Sequence, residues 1–212
     1  MSDKNTFGIG IPTLNRYDLL KESLLNYRKD FPNIRIYVLD NGIQGIDVNG
    51  IDIIIPETEK GYSVGKSWNV LCDFIFKEHS HALILNDDVY LGSDEAFINK
   101  MINSNIYQNY FIRSTADWSA FIIPKNMFEK IGRFDECFYP AYYEDSSYEY
   151  RMKLAMAPVY KTPSLNPVIY RRSMTVEKSP EIVESSIKNK IKYIEMWGGE
   201  PGSEIFKKPY TL

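Results

Sequence analysis

Short apolar runs alternate with helix-like segments through the first half of the chain. The apolar runs predict strands at 7–13, 34–39, 51–55 and 81–85, and the segments with helical spacing predict helices at about 18–29 and 63–77. Strands separated by helices of this length pair in a mostly parallel sheet, with helices on both faces. The sequence therefore predicts an α/β fold with a mostly parallel central sheet flanked by helices.

Polar residues stand at the carboxyl ends of three of these strands. Thr13 closes the first strand, Asp40 follows the second, and Asp88 follows the fourth. In open α/β sheets the ligand binds beyond the carboxyl ends of the strands. These three side chains are therefore expected to converge on one binding site.

The second half of the chain is less regular. Helices are expected at 94–102, 124–131 and 144–155, strands at 110–113 and 118–123, and a last helix from Ser179 that carries Val183, Ile187, Ile191 and Ile194 at helical spacing. The 212 residues suit a single domain with two lobes, about 1–92 and 93–212. The sequence leaves open that this domain is one module of a longer protein.

Charge and composition argue against several classes of protein. A net charge of −3 without a basic stripe argues against a nucleic-acid partner. Cys72 and Cys137 lie far apart without a CxxC pattern, so two reduced thiols are expected. The sequence shows neither a signal peptide nor an apolar run of about 18 residues, so we expect a cytoplasmic protein with no transmembrane segment.

The motif Asn86-Asp87-Asp88 directly follows a predicted buried strand. Adjacent carboxylates repel each other unless a cation or hydrogen-bond donors share the site. Their oxygens suit Mn²⁺ or Mg²⁺, with phosphate groups of a bound ligand completing the coordination shell. Asp88 and Asp87 are therefore the candidate metal ligands. The alternative is a solvated acidic turn that caps the next element.

Three short motifs together resemble a known enzyme family. IPTLNR begins at Ile11, LDNG at Leu39 and LNDDV at Leu85, and their order and spacing within residues 7–150 resemble GT-A fold glycosyltransferases, especially the family 2-like group. The resemblance implies a Rossmann-like sheet with a nucleotide-binding first half and a smaller acceptor-side lobe. It also implies metal-dependent transfer of a sugar, with inversion, from a nucleotide diphosphate donor to a hydroxyl acceptor such as a glycan. A UDP-sugar is the favoured donor.

The resemblance implies nucleoside-binding roles near the first two strands. Pro12, Thr13 and Arg16 match the loop that packs around the nucleoside. Asp40, with Asn41 beside it, matches the residue that accepts a hydrogen bond from the imide N–H of uracil. The alternative for Asp40 is a turn residue, because Asp-Asn-Gly favours a turn on its own.

Two further segments match the donor site of the family. Gly65, Lys66 and Asn69 match the segment that opens the helix before the metal-binding strand, where an anion would meet a helix N-terminus. The alternative is a capped helix with a solvated lysine. Residues 86–88 match the DxD motif, although Asn86 stands where an aspartate is commoner. The C-terminal histidine that many members use as a metal ligand has no counterpart, because no histidine follows His81.

The candidate base is placed by the same resemblance. Glu144 and Asp145 stand at a predicted helix start and resemble the family's ED motif, in which a carboxylate takes the proton from the acceptor hydroxyl. Asp145 is the first choice for the base and Glu144 the second. The alternative is that Asp145 or Ser146 is an N-cap.

Acceptor-side residues follow in the second half. Asp117, Trp118, Tyr142 and Tyr143 are candidates for contacts with sugar hydroxyls or sugar faces, with core packing as the alternative for the aromatic residues. The pair Arg171 and Arg172 could neutralise the leaving diphosphate, or could be solvated. Residues 197–199, Trp-Gly-Gly, are interpreted as part of a mobile flap over the donor.

Two other functions stay open at the sequence level. Sugar-nucleotide pyrophosphorylases share a related sheet and a metal-bound phosphate site, but a glycine-rich basic loop normally follows their first strand, and here IPTLNR stands there. A non-catalytic nucleotide- or carbohydrate-binding module would use the acidic motif only for structure.

Overall fold

The computed structural model describes residues 5–42, 45–56, 61–170 and 180–209. Its strands are β1 (Phe7–Thr13), β2 (Ile36–Asp40), β3 (Ile53–Pro56), β4 (His81–Leu85), β5 (Val89–Leu91), β6 (Phe111–Ser114), β7 (Ala120–Pro124), β8 (Val159–Thr162) and β9 (Pro167–Tyr170). Its helices are α1 (Tyr17–Asp30), α2 (Val64–Ile75), α3 (Glu95–Ile102), α4 (Lys125–Ile131), α5 (Glu144–Leu154) and α6 (Pro180–Trp197), with a 3₁₀ turn at Pro163–Leu165. Every strand and helix predicted from the sequence is present, with bounds close to those expected.

Seven strands form one sheet in the order β3-β2-β1-β4-β7-β6-β8. β1 pairs in parallel with β2 and β4, β2 with β3, and β6 with β8, whereas β7 runs antiparallel to both of its neighbours. The predicted α/β class with a mostly parallel central sheet is therefore confirmed. β8 and the antiparallel pair β5–β9 were not predicted, because each of these short strands pairs with a segment far away in the chain.

The side-chain alternation in β1 sets how closely α2 approaches the sheet. Ile9 and Ile11 belong to the buried cluster that also contains the apolar face of α1. Gly10 lies on the opposite face, where an added Cβ atom would be 2.8 Å from Cδ1 of Ile84 and 3.0 Å from Cδ1 of Ile75 in α2. Because β1 carries no side chain there, α2 packs directly against it. The first turn of α2 is thereby held near the carboxyl ends of β1 and β2.

The C-terminal segment is part of the core of the second half. Trp197 is only 1% exposed, and its indole Nε1 donates to Ser147 Oγ in α5 at 2.9 Å. The carbonyl oxygen of Trp197 accepts hydrogen bonds from the backbone N–H groups of Ile205 and Phe206, both at 3.0 Å. The structure therefore places Trp197 in the core, against the prediction that residues 197–199 form a flap.

The apolar residues that repeat along α6 do not form its buried face. Val183, Ile187 and Ile191 are 45%, 57% and 53% exposed, whereas Tyr193 and Trp197 are buried. The aromatic side chains bury more area than the aliphatic ones, so they decide which face of the helix turns inward. Within the described ranges, no helix combines the length and the apolar character that crossing a bilayer requires.

Candidate active site at the carboxyl edge of the sheet

The acidic turn after β4 is held in place by β1 and α1. Thr13 Oγ1 donates a hydrogen bond to Asp87 Oδ2 at 2.7 Å, and Ser23 Oγ donates to the backbone carbonyl of Asp87 at 2.9 Å. The buried Tyr27 hydroxyl donates to the carbonyl of Val89. Side chains from two neighbouring elements thus fix both the backbone of the turn and the orientation of one carboxylate.

The two carboxylates of this turn are only partly compensated by positive charge. Burial raises the pKa of Asp87 to about 6, with a contribution from the Asp88 carboxylate, although the Thr13 hydrogen bond and Arg16 lower it. Burial also raises the pKa of Asp88, and the nearby Asp117 carboxylate raises it further. Three carboxylates therefore share this part of the site, and a bound cation would favour their charged forms.

The donor atoms at this turn suit a hard divalent cation that is shared with a ligand. Carboxylate oxygens are the ligands that Mg²⁺ and Mn²⁺ prefer. No group of three or more acidic, histidine or cysteine side chains among the described residues is arranged to hold a metal by itself. Asp87 and Asp88 fit a cation whose remaining ligands come from a bound phosphate and water. The backbone N–H of Asn86 donates to the carbonyl of Ser119 at 3.0 Å and so joins the start of the turn to the residue before β7.

Asp40 ends β2, which β1 separates from β4 and its acidic turn, and it is paired in register with Thr13. It is 5% exposed, and its Oδ1 accepts hydrogen bonds from the Tyr17 hydroxyl and the Gly42 N–H, both at 2.9 Å. A Cβ atom at Gly42 would lie 2.2 Å from the Tyr17 hydroxyl oxygen, so a side chain at this position would disrupt the arrangement. Asp40 is therefore a residue of the Asp-Asn-Gly turn and also has a carboxylate in a fixed orientation. Pro12 sits inside β1, paired with Leu39.

Asn41 connects the turn after β2 to the start of α2. Its Nδ2 donates to Ser67 Oγ at 3.0 Å, while its buried Oδ1 has no hydrogen-bond partner among the described residues. Ser63 caps α2 by accepting the Lys66 N–H at 3.1 Å, and the Lys66 ammonium lies 4.3 Å from the centroid of the Tyr62 ring. The helix is therefore capped, as the alternative interpretation expected, and the phosphate contact of Lys66 stays a prediction.

Two residues of α2 that the family resemblance assigned to the donor have structural roles here. Asn69 is fully buried, and its amide nitrogen donates to the Phe134 carbonyl and to Glu136 Oε1, both at 2.9 Å. Its Oδ1 accepts the Phe134 N–H at 2.8 Å, so the side chain is fully engaged in holding the segment before α5. A Cβ atom at Gly65 would lie 2.9 Å from the Asp135 carbonyl oxygen and 3.3 Å from Glu144 Cβ. Gly65 therefore allows α2 to pack closely against the start of α5.

The start of α5 follows two residues with unusual backbone angles. Tyr142 and Tyr143 have φ values of 77° and 78°, in the left-handed region that non-glycine residues rarely adopt. Tyr143 is the N-cap and provides no side-chain cap, whereas Asp145 Oδ1 accepts the N–H of its neighbour Ser146 at 2.7 Å. The alternative interpretation of Asp145 or Ser146 as the N-cap is therefore wrong, because both lie inside the helix.

Glu144 and Asp145 differ in their surroundings. Glu144 is 5% exposed, and its Oε2 has no hydrogen-bond partner among the described residues. Burial, with a contribution from the Asp145 carboxylate, raises the pKa of Glu144 to about 8. Burial also raises the pKa of Asp145, but hydrogen bonds from Ser146 oppose that shift. A pKa of about 8 favours the protonated form of Glu144 at neutral pH. Asp145 differs in location, because it lines an open cleft.

This cleft has a volume of about 550 Å³ and lies between the start of α5 and the start of α6. Its lining residues in the described part of the chain are Tyr142, Tyr143, Asp145, Ser146, Ile182, Val183, Ser186 and Pro201. The two tyrosines were expected on the acceptor side. The residues from α6 and Pro201 were missed, because a helical apolar pattern by itself predicts a packing face and not a cleft wall.

Trp118 lies in an aromatic cluster with side chains from α2, β6 and β7. Its ring stacks on Trp68 of α2 with a centroid distance of 6.2 Å and an interplanar angle of 19°, and the Arg113 guanidinium carbon lies 5.4 Å from its centroid. The packing alternative for this residue is therefore realised in the structure. The neighbouring Asp117 uses Oδ1 to accept the Ser119 N–H at 2.8 Å. Arg171 and Arg172 lie outside the described residues.

No protein-family model matches the chain, and no curated protein matches its sequence. Solved structures resemble its fold. A mannosyltransferase from Pyrobaculum calidifontis, solved with GDP-Man and Mn²⁺, matches with a TM-score of 0.62 and 12% identity over 89% of this chain and 65% of its own. GalNAc-T7, solved with UDP, GalNAc and Mn²⁺, matches with a TM-score of 0.66 and 11% identity over 92% of this chain and 49% of its own. The catalytic domain of Drosophila β1,4-galactosyltransferase 7, solved with xylobiose, matches with a TM-score of 0.55 and 8% identity over 81% of this chain and 73% of its own.

The chain has a GT-A fold. It spans less than two thirds of the mannosyltransferase and about half of GalNAc-T7. Within this GT-A fold, the predicted site residues fall into two groups. Thr13, Asp40 and the acidic turn lie at the carboxyl ends of β1, β2 and β4, and Asp145 with the two tyrosines lies in the cleft beside α6.

Proposed function

We propose that the protein is a glycosyltransferase that moves a sugar from a nucleotide diphosphate donor to a hydroxyl acceptor with the help of a divalent cation. The observation that carries the proposal is the pair Asp87 and Asp88, two largely buried carboxylates at the end of β4 in a GT-A fold. The mannosyltransferase and GalNAc-T7 structures that share this fold were solved with Mn²⁺ and with a nucleotide or nucleotide sugar, which supports the same chemistry here.

In this proposal Asp87 and Asp88 would hold Mn²⁺ or Mg²⁺ jointly with the donor diphosphate. When bound, the cation would offset the negative charge that develops on the leaving nucleotide. Thr13 holds one oxygen of Asp87, and Ser23 holds the backbone of the same residue, so the carboxylate is oriented before the donor arrives. Such pre-organisation avoids a reorganisation cost at the moment of reaction.

Asp40 supports a uridine donor. Its Oδ1 is occupied by Tyr17 and Gly42, which fixes the plane of the carboxylate. The other oxygen, Oδ2, is the natural acceptor for the imide N–H of a uracil ring stacked near Pro12 and Arg16. The mannosyltransferase of similar fold was solved with GDP-Man, so a guanosine donor is the competing result of the binding experiment below.

Asp145 is the proposed base. Its carboxylate takes the proton of the acceptor hydroxyl while the hydroxyl oxygen attacks the anomeric carbon, and the nucleoside diphosphate leaves with the electron pair of the broken C–O bond. A single displacement of this kind inverts the anomeric configuration. Asp145 is favoured over Glu144 because it lines the cleft, whereas Glu144 is buried with a pKa of about 8 and holds its proton at neutral pH. The acceptor, a glycan or glycoconjugate, would enter between Tyr142, Tyr143 and α6.

Thermal unfolding with UDP, GDP and a panel of UDP-sugars, each with and without Mn²⁺, tests the donor site. A ligand that binds only the folded protein raises the unfolding midpoint. We expect a rise with uridine ligands that requires Mn²⁺ and disappears in Asp88→Asn. Asp47→Asn, an exposed acidic residue, is the matched control and is expected to behave like the wild type.

The sugar that gives the largest rise is then tested for transfer by measuring UDP release with p-nitrophenyl glycosides as acceptors. A metal-dependent rise together with acceptor-dependent release supports the proposal. A folded wild-type protein that responds to no nucleotide would instead indicate a binding module in which the acidic turn is structural. A response to GDP alone would agree with a transferase that uses a guanosine donor, and it would contradict the proposal that Asp40 binds uracil.

A further inference from the structure

The segment that leads into α5 is held from two sides. On the side of α2, Ser63 Oγ donates to the Glu136 carbonyl at 3.3 Å and the Val64 N–H donates to the Pro140 carbonyl at 3.0 Å. On the side of α6, Lys192 Nζ donates to the Cys137 carbonyl at 2.7 Å. The segment therefore links α2, which belongs to the half of the chain that carries the acidic turn, to α6, which lines the cleft.

Asn189 holds the same segment from α6 through its side-chain amide. It is 3% exposed, and its single amide nitrogen donates to the Ala141 carbonyl at 2.8 Å and to the Tyr139 carbonyl at 3.2 Å. Both amide hydrogens are thus used on the same short segment. Asparagine is a poor helix former, and its burial is costly unless its polar atoms are satisfied. Two hydrogen bonds to this loop are a physical reason for its position in the middle of α6.

The backbone that follows these carbonyls is strained. Tyr142 and Tyr143 both have positive φ values, which are unfavourable for residues other than glycine and persist only where the surrounding structure holds them. The Tyr143 ring packs at 5.4 Å from the ring of Tyr193, which lies one turn after Asn189 on α6. α6 therefore contacts the second residue of the strained pair directly and bonds to the segment just before the pair through Asn189.

We propose that Asn189 is a positioning residue for the acceptor side of the site. By fixing the carbonyls of Tyr139 and Ala141, it holds Tyr142, Tyr143 and Asp145 at one wall of the cleft. This inference rests on the proposed function. The other wall comes from residues at the start of α6 itself, so Asn189 also sets the separation of the two walls.

The acidic turn has separate supports, which predicts a selective effect. Asp87 is held by Thr13 and by Ser23 of α1, and neither belongs to the segment that Asn189 holds. Loss of the Asn189 hydrogen bonds should therefore impair use of the acceptor while leaving binding of the donor intact. A merely structural role would weaken both in proportion to the loss of folded protein.

The test compares Asn189→Asp, which keeps the shape but turns a carboxylate oxygen toward the two carbonyls, with Asn189→Ser, which keeps one donor. Asn126→Asp is the control, because Asn126 is exposed and its amide donates to the Asn109 side chain, away from the segment that Asn189 holds. The first measurement is amide hydrogen exchange by mass spectrometry in peptides covering 138–146 and, for comparison, 64–75. The second is the Mn²⁺-dependent rise in midpoint with UDP, and the third is kcat and KM for the p-nitrophenyl glycoside accepted by the wild type.

For Asn189→Asp we expect faster exchange in 138–146 but not in 64–75, an unchanged rise with UDP, and at least a tenfold loss of kcat/KM for the acceptor. Asn189→Ser should lie between this variant and the wild type, and it serves as the test if Asn189→Asp does not fold. Unchanged exchange in 138–146, or unchanged acceptor kinetics despite faster exchange, would overturn the inference. Failure of the proposed function is seen separately, in a wild-type protein whose midpoint no nucleotide moves.

Discussion

Glu144 and Asp145 are neighbours in the chain, yet the fold gives them different environments. Glu144 packs against Gly65 of α2 and has no partner for one of its carboxylate oxygens among the described residues, whereas Asp145 opens onto the cleft. Environments that separate the pKa values of adjacent carboxyl groups are a common means of assigning different roles to them. The sequence does not show which of the two carboxyl groups is buried, because the burial of Glu144 depends on its packing against α2 and not on its position in α5.

Asp145→Asn is expected to lower the rate of sugar transfer by two to four powers of ten, as order of magnitude, because a positioned general base contributes about that much. Glu144→Gln should keep most of the activity, since the amide resembles the protonated acid that Glu144 is at neutral pH. The measurement is UDP release at saturating donor and acceptor for both variants. The opposite ranking of the two variants would assign the base to Glu144.

The buried Glu144 also predicts a dependence of stability on pH. Its pKa in the folded protein, about 8, lies above the ordinary glutamate value of 4.5 that applies to the unfolded chain, so the folded state retains a proton that the unfolded state releases. The stabilising contribution of this group is complete below pH 4.5 and declines as the pH rises toward 8, by about 1.4 kcal/mol per pH unit at most.

Urea unfolding of the wild type and Glu144→Gln at pH 5, 6, 7 and 8 measures this contribution. We expect the difference in unfolding free energy between the two proteins to shift in favour of the variant as the pH rises. Glu195→Gln, at an exposed position of α6, should run parallel to the wild type. A constant difference across the pH range would mean that Glu144 is ionised in the folded protein.

At the scale of elements, α2 is the support on which both parts of the site rest. Its first turn is joined to the loop after β2 by Asn41, and its middle holds the segment before α5 through Asn69. The close approach of α2 to β1 depends on Gly10, which the sequence shows only as one residue of an apolar run. The helix itself was predicted from its spacing, but its role as a support follows from contacts between residues far apart in sequence.

Asn69→Ala is expected to destabilise the protein by roughly 1–3 kcal/mol, because it leaves the Phe134 N–H and carbonyl groups buried without partners. Asn26→Ala, at a half-buried position of α1, removes a solvent-exposed 3.2 Å bond to the Glu22 carbonyl and should change stability by less than about 0.5 kcal/mol. Equilibrium unfolding in urea measures both. Equal stability of the two variants would show that the segment before α5 does not depend on Asn69.

At the scale of the whole molecule, the sequence predicted the first half better than the second. β1, β2 and β4 with their intervening helices give long periodic signals, and polar residues at their ends indicated where the acidic turn and Asp40 would lie. The cleft could not be predicted, because it depends on how α6 lies against α5 and on aromatic residues that outweigh the aliphatic pattern of α6. The pairing of β8 with β6 and of β9 with β5 likewise joins segments that are far apart in the chain, and the residues of each strand alone do not predict it.

The topology of the sheet predicts that the two halves unfold together. β7 of the second half lies between β4 and β6 and pairs with β4 over five residues, from His81↔Pro124 to Leu85↔Ala120. The boundary near residue 92 therefore divides the chain but not the sheet, and neither half completes a core without the other. We expect a single cooperative transition, as for one domain.

Thiol labelling during urea unfolding tests this expectation, with one buried cysteine as the reporter in each half. Cys72 in a Cys137→Ser protein reports on α2, and Met152→Cys in a protein that also carries Cys72→Ser and Cys137→Ser reports on α5, where Met152 is fully buried. Because the substitutions themselves alter stability, each labelling midpoint is compared with the midpoint of the same protein by far-ultraviolet circular dichroism. Coincident midpoints in both proteins are expected. Labelling of Met152→Cys well before the loss of helix signal, with Cys72 still protected, would mean that the cleft-bearing half opens independently, because the β4–β7 pairing would then not couple the halves.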